Sequence, residues 1–487
     1  MMTEMLMPEE VWKGCWFNGR WTQAEHTGAV LDKASGEEIS RIGLATPADL
    51  DRSAAAAVLA QAAWENTSPA ERAAIFRRAA SLVEKHWDEL TVWIMRESGG
   101  VRAKADTELR STTAVLHHAA GMMGEPHGFV MPAEPHKMSF ARRVPHGVVG
   151  VIAPFNFPLT LAIRSVAPAL VTGNAVVLKP DSQTAVCGGV LIARVFEAAG
   201  LPAGLLHMLP AGSDVGEAIC TDPRISMVSF TGSTQAGKRV GALCGGSLKK
   251  VSLELGGKNS LIVLDDADLE VAAAGAAFGS WMHQGQICMA TGRILAHESI
   301  AQELLERLKQ KALSTRIGNP MHERVGLGPV INERQLKAID GIVQATIAAG
   351  ATLHAGGKAE GRFYLPTVLG GVQPGMRAFD EEVFGPVASV TSFASDDEAV
   401  ELANSSEYGL AAAVMSASTG RALALGKRLR TGLLHINDQT VQGDPHIPFG
   451  GRGASGNGSR IGGPANWDEF TQWQWITVRE TVASYPF

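Results

Sequence analysis

The chain has 487 residues, 45% of them hydrophobic and 19% charged, an ordinary globular composition with enough length for more than one core. A formal net charge of −6 without any long basic run excludes the electrostatic footprint of a nucleic-acid binder. No window offers about 18 consecutive strongly apolar residues for a membrane span, and Met1–Trp16 lacks the basic segment and apolar stretch of a signal peptide, so a cytoplasmic location is expected.

Near the start, Asn18-Gly19 lies between Trp16-Phe17 and Arg20-Trp21, the composition of a type I′ hairpin. Thr46-Pro47 then caps an alanine-rich helix. Ser68-Pro69-Ala70-Glu71 is a capping box with Pro at the first helical position, opening a long amphipathic stretch towards Glu97. From Val148 the pattern changes to short apolar runs alternating with helical segments. Strands are predicted at 148–153, 175–179, 205–209 and 225–230, with helices near 159–170 and 184–199 and a short one before Ile225. Such alternation predicts an α/β fold with a parallel, doubly wound sheet. A second α/β series runs from about Leu261 to Asn437, including a helix near 301–313 and a strand at 432–437, and the glycine-rich stretch Gly450 to Gly463 reads as a loop.

Five scattered cysteines without a CxxC pair suggest neither a disulfide framework nor a metal site. Two nucleotide motifs are discounted. Gly451-Arg452-Gly453-Ala454-Ser455-Gly456 spells a dinucleotide fingerprint but lies too near the terminus for a βαβ unit, and Gly232 to Lys238 falls one residue short of a P-loop, with Arg239 where a Ser or Thr is required. The second segment still follows a strand and opens a helix, so its amides suit a pyrophosphate.

Six stretches, in this order, carry a resemblance: Pro154-Phe155-Asn156-Phe157-Pro158, Phe230-Thr231-Gly232-Ser233-Thr234, Leu253-Glu254-Leu255-Gly256-Gly257-Lys258, Gln284-Gly285-Gln286-Ile287-Cys288, Glu382-Val383-Phe384-Gly385-Pro386 and Pro448-Phe449-Gly450-Gly451. Together they resemble the aldehyde dehydrogenase superfamily over essentially the whole chain. The resemblance implies a doubly wound Rossmann-type cofactor domain (1–122 and 146–256), an α/β catalytic domain (257–457) and a small β oligomerisation element (123–145 and 470–487), assembled as a homodimer or homotetramer.

It also implies a chemistry. Aldehyde oxidation needs a nucleophile that adds to the carbonyl so that hydride can leave, and a thiol suits this. The resemblance gives that role to Cys288, the oxyanion to the Asn156 amide and the Cys288 N–H, and thioester hydrolysis to water activated by Glu254, with Lys179 also in the catalytic set. Flanking leucines would desolvate Glu254 and raise its pKa towards that of a useful base. Cofactor contacts carried over are Ile152, Pro154, Phe155, Lys179, Ser182, Gly212, Gly232, Ser233, Leu255, Glu382 and Phe384.

Two positions depart from the family pattern. Ser182 stands where many NAD-preferring members have Glu, removing a charge that would repel a 2′-phosphate, so NAD comes first and NADP is open. Gln472 stands where many members have an auxiliary Glu; it cannot titrate, which leaves deacylation to Glu254.

A finer resemblance, to bacterial benzaldehyde dehydrogenases, is carried by His283 to Met289, His435-Ile436-Asn437-Asp438-Gln439 and the tail from Gly462 to Trp475 with Tyr485-Pro486-Phe487. It implies a small aromatic aldehyde as substrate, with Phe157, Trp281, Met282 and Phe449 as an apolar slot for a planar ring and Arg164 at its entrance. The alternatives are a semialdehyde dehydrogenase, for which Arg164 is the obvious anchor of a substrate carboxylate, and a non-catalytic protein on the same fold. Coenzyme A acylation is disfavoured because it would leave Glu254 without a task.

Overall fold

The valine-rich runs Val148–Ile152 and Ala175–Lys179 pair in parallel and in register, Val148 with Ala175 through Ile152 with Lys179, and both are almost wholly buried, as a sheet covered on two faces requires. In the computed structural model, which describes residues 5–487, they form the centre of a seven-stranded sheet in the order Lys250–Glu254, Ile225–Thr231, Val148–Ile152, Ala175–Lys179, Leu206–Met208, Cys15–Phe17, Trp21–Gln23. Met1 to Glu4, the beginning of the segment read above for a signal peptide, lies outside the described residues. Strand order reverses at Val148–Ile152, and the crevice beyond the carboxyl end of such a strand is where an open α/β sheet accepts a ligand. Pro154, Phe155 and Asn156 follow that end directly.

A second seven-stranded sheet runs Thr352–Ala355, Thr367–Gly370, Val387–Phe393, Thr291–His297, Asn259–Val263, Ala411–Met415, Leu433–Ile436, parallel except for its first strand. Separate apolar clusters pack its two faces, one around Ile262, Leu295 and Phe379 and the other around Leu261, Ile294 and Trp281. A three-stranded antiparallel sheet joins Gly128–Met131 and Lys137–Pro145 to Thr471–Arg479. Among the described residues no helix is long and apolar enough to cross a membrane.

Several local expectations change. The strand residues Phe17 and Trp21 pair across three loop residues, and of these only Gly19 has a positive φ (90°), so the turn is longer than the two-residue type I′ form. A second hairpin, His26–Leu31 with Glu38–Leu44, was hidden because its exposed residues break the alternation. The stretch after Ser68 is two helices, Pro69–Lys85 and Trp87–Ser98, parted at His86. The predicted capping box forms at Ser68 with Glu71, and the predicted cap Thr46 makes a capping box of its own with Asp49.

Candidate active site

The two large sheets are joined by the short crossing from Glu254, last residue of the strand Lys250–Glu254, to Asn259, first of Asn259–Val263. The Asn259 side-chain amide donates to the carbonyls of Cys288 and Ala290, both at 2.8 Å, so the Cys288 backbone is tied to this crossing. Before Cys288 the chain turns through three left-handed residues, His283 (φ 47°), Gln284 (φ 55°) and Gly285 (φ 65°). Two of these are not glycine, a conformation held only where the surroundings fix it. The Gln284 side chain donates to the Gly99 carbonyl (3.0 Å), Gln286 Oε1 accepts from the Ile331 N–H (3.1 Å), and the Gln286 carbonyl accepts from the Asn156 amide (2.9 Å). Asn156 thus keeps its second amide proton free of that bond.

Cys288 and Asn156 open onto a cavity of about 370 Å³ whose wall includes Phe157, Thr160, Leu161, Arg164, Phe278, Met282, Ile287 and Phe449. The wall also includes polar residues, Thr107, Ser111, His118, Gln442 and Asp444. Burial pushes the Cys288 thiol up to about 12, opposed by the positive charge of Arg164 and reinforced by Glu382 and Glu254. The Glu254 carboxyl is 2% exposed and neither oxygen has a hydrogen-bond partner. Burial raises its pKa to about 8, with Arg164 and Arg460 pulling the other way. It is not part of the cavity wall itself: its Oε1 packs against Gly450, next to the wall residue Phe449. Arg164 lines the same cavity, donates to Thr231 Oγ1 (2.9 Å) and lies 5.1 Å from the centre of the Phe449 ring.

Several of the expected cofactor contacts sit at a strand end and at helix starts beside the first sheet. Lys179 ends its strand beside Ile152, with burial lowering its ammonium pKa against the pull of Asp181 and Asp214. Ser233 caps the helix Thr234–Gly246, accepting from the Ala236 N–H (3.3 Å), while Gly212 caps Ser213–Thr221. Gly232 donates to the Glu254 carbonyl (3.1 Å), and Leu255 packs over Gly237 near the start of the Thr234 helix. Glu382 Oε1 accepts from the Gly257 N–H (3.1 Å), and burial raises this carboxyl to about 7. Phe384, at φ 50°, meets Phe155 edge-on at 5.9 Å. Ser182 lines a separate cleft of about 620 Å³ with Lys33, Gln183, Asn332 and Arg362.

The family model "Aldehyde dehydrogenase family" matches residues 21–476. The chain belongs to the aldehyde dehydrogenase family. Among curated relatives, this aldehyde dehydrogenase is 53% identical to a vanillin dehydrogenase of Amycolatopsis, covering 99% of both chains, and 49% identical to a benzaldehyde dehydrogenase [NAD(+)] of Pseudomonas putida, covering 98% of this chain and 99% of the other. Among solved structures it is similar to betaine aldehyde dehydrogenase from Staphylococcus aureus in complex with NAD+ (TM-score 0.94, 30% identity, 99% and 97% covered) and to an NAD-dependent aldehyde dehydrogenase from Sinorhizobium meliloti (TM-score 0.92, 34% identity, 97% and 96% covered).

One expected pocket residue of this aldehyde dehydrogenase is elsewhere. Trp281 is 4% exposed and packs into the core of the second sheet, because the helix Leu269–Trp281 ends with that side chain turned inward; Phe278, one turn earlier and 48% exposed, faces the cavity. Sequence reasoning also missed Lys258, whose ammonium is buried without a hydrogen-bond partner and which burial brings down to about 7. Its place in the Leu-Gly-Gly-Lys run was the available signal.

Proposed function

We propose that the enzyme oxidises a small aromatic aldehyde to its carboxylic acid with NAD, through a thioester on Cys288. The observation that carries the reading is the cavity of about 370 Å³ in which a thiol and an amide donor share a wall lined by Phe157, Phe278, Met282 and Phe449. A planar ring suits such a wall. Vanillin and benzaldehyde are the substrates in the names of the two relatives above. The semialdehyde alternative is weaker: Arg164 is the single Lys or Arg among the described wall residues, and it is already engaged by Thr231 and Phe449.

In this reading the Cys288 thiol loses its proton to cavity water as sulfur adds to the carbonyl carbon. The oxyanion takes the free N–H of Asn156 and the backbone N–H of Cys288, and each such donor is worth about 100 to 1000-fold in rate. Bound NAD would supply the acceptor for the hydride that leaves the adduct. Lys179, Ser233 and Glu382 would hold it, with Gly212, Gly232, Leu255, Phe155 and Phe384 beside it. The chain fits such a group, since Ser233 exposes a helix N-terminus and Glu382 keeps one carboxylate oxygen outside its bond to Gly257. Glu254 then takes a proton from water as it adds to the thioester, the acid departs and the thiol re-forms.

The three-stranded sheet leaves Phe129, Val130, Trp473 and Trp475 half or more exposed, a patch we assign to a homodimer or homotetramer contact. Five free cysteines suit a reducing compartment, the cytoplasm.

Absorbance at 340 nm with benzaldehyde or vanillin and either NAD or NADP, for wild type and Cys288→Ala, tests the reading. Turnover lost in the variant is expected, faster with NAD. Turnover of succinate semialdehyde but of neither aromatic aldehyde would overturn the substrate assignment, and activity surviving Cys288→Ala would overturn the thioester.

A further inference from the structure

Beneath the cavity lies an ion pair that the chemistry above does not use. Lys104 and Glu108, one turn apart on the helix Arg102–Met122, are both fully buried and bonded to each other. A buried pair of this kind costs desolvation and seldom adds net stability over apolar residues of similar size. Its surroundings give it another use.

Glu108 Oε2 accepts the backbone N–H groups of Leu159 and Thr160, at 3.1 and 3.2 Å, in the first turn of the helix Pro158–Val171. That helix has no side-chain cap of its own, and Asn156 and Phe157 immediately precede it. A carboxylate on its free amides therefore fixes where the helix begins, and with it the direction of Asn156. Lys104 reaches the opposite way. Its ammonium donates to Ser98 Oγ (3.0 Å) and lies 4.8 Å from the centre of the Phe157 ring, which meets His283 edge-on at 5.4 Å. His283 opens the strained turn before Cys288, and the next residue, Gln284, donates to Gly99, the neighbour of Ser98. The circuit closes where the Asn156 amide meets the Gln286 carbonyl.

We infer that Lys104 and Glu108 are positioning residues: together they set the Asn156 amide against the loop that carries Cys288, and so govern the acylation step rather than substrate binding. The inference rests on the oxyanion role proposed for Asn156.

The test uses full-length Lys104→Met/Glu108→Gln, which removes both charges and leaves no unpaired buried ion. Acylation is followed with p-nitrophenyl acetate, an activated ester that needs neither the aldehyde nor the cofactor, so the outcome stands apart from the substrate assignment. Acylation is expected to fall about 100-fold, the effect of a reacting group displaced by an ångström. The ester KM, NAD binding and alkylation of Cys288 by iodoacetamide, which needs no oxyanion donor, should stay at wild-type values. In an Asn156→Ala background the same double exchange should have no further effect, because the pair acts through that amide. Full acylation in the folded double variant would overturn the inference. So would a loss that adds to that of Asn156→Ala, or one in which alkylation falls in parallel. Should the double exchange prevent folding, Lys104→Arg keeps the charge, displaces the Phe157 contact and is read by the same measurements, with the same outcomes supporting or overturning the inference.

Discussion

Glu254→Gln has a stability signature as well as a kinetic one, and the two have independent origins. Burial raises this carboxyl from its ordinary 4.5 to about 8. At about 1.36 kcal/mol per unit, that shift means ionising it in the folded protein costs roughly 5 kcal/mol more than in the unfolded chain. Below about pH 4.5 the group is protonated in both states and carries no penalty. As pH rises the unfolded chain ionises first, so folded stability falls steadily until the folded carboxyl itself ionises near pH 8. Gln cannot ionise and escapes the loss. The variant should therefore gain on wild type with pH, by about 3 kcal/mol between pH 4.5 and 7, in urea unfolding at equal protein concentration. Its kinetics should move oppositely: a first equivalent of NADH forms, while steady-state turnover drops about 100 to 10,000-fold for want of a base. In the wild type, deacylation should rise with pH through about 8. Parallel stability curves for the two proteins would refute the buried, uncompensated carboxyl, and an undiminished steady state in the variant would refute its role as the base.

Three further predictions test neighbouring parts of the site. Arg164→Gln removes the positive charge that holds down both Cys288 and Glu254, so the pH profiles of iodoacetamide alkylation and of deacylation should both move to higher pH; every unit of upward movement costs about tenfold in thiolate at a fixed pH below the pKa, and unmoved profiles count against the electrostatic link. Trp281→Ala should cost about 3–5 kcal/mol in unfolding experiments with little change in aldehyde KM, whereas Phe278→Ala should raise KM for aromatic aldehydes with little loss of stability; the reverse pattern would return Trp281 to the pocket. Trp475→Glu, at a position 72% exposed on the strand Thr471–Arg479, should yield a smaller species in sedimentation, and an unchanged mass would remove this sheet from the subunit contact.

The parts legible in the sequence were those governed by local patterning. Valine-rich runs marked the parallel strands, a Thr cap and a capping box marked two helix starts, and the linear motifs marked Asn156, Glu254 and Cys288 as a candidate set. What could not be read depended on which way a side chain turns at the end of an element, as for Trp281 against Phe278, or on contacts between segments far apart in sequence. Lys104 and Glu108 look like an ordinary i,i+4 pair on a helical surface. Only the packing of the helix Pro158–Val171 against them puts the pair inside. The bond from Arg164 to Thr231 is likewise a contact between distant segments that no local pattern announces.

The Leu-Gly-Gly-Lys run after Glu254 acquires a physical reason from the same packing. A Cβ on Gly256 would lie 2.3 Å from Glu382 Oε2, and one on Gly257 would lie 2.6 Å from the Cys288 carbonyl oxygen. Neither glycine has a positive φ, so what excludes a side chain at both positions is close approach rather than backbone freedom. The crossing between the sheets must be bare because two groups press on it, the Glu382 carboxylate and the backbone carbonyl of Cys288. A single alanine there would have to displace one or the other. Gly450 repeats the arrangement at Glu254, where a Cβ would come within 2.8 Å of Oε1. Glycine at these three places lets a buried carboxylate, a thiol-bearing loop and a second carboxylate converge on one short stretch of chain. That convergence ties the proposed base, Glu254, and the proposed nucleophile, Cys288, to a common backbone, the crossing between the two sheets.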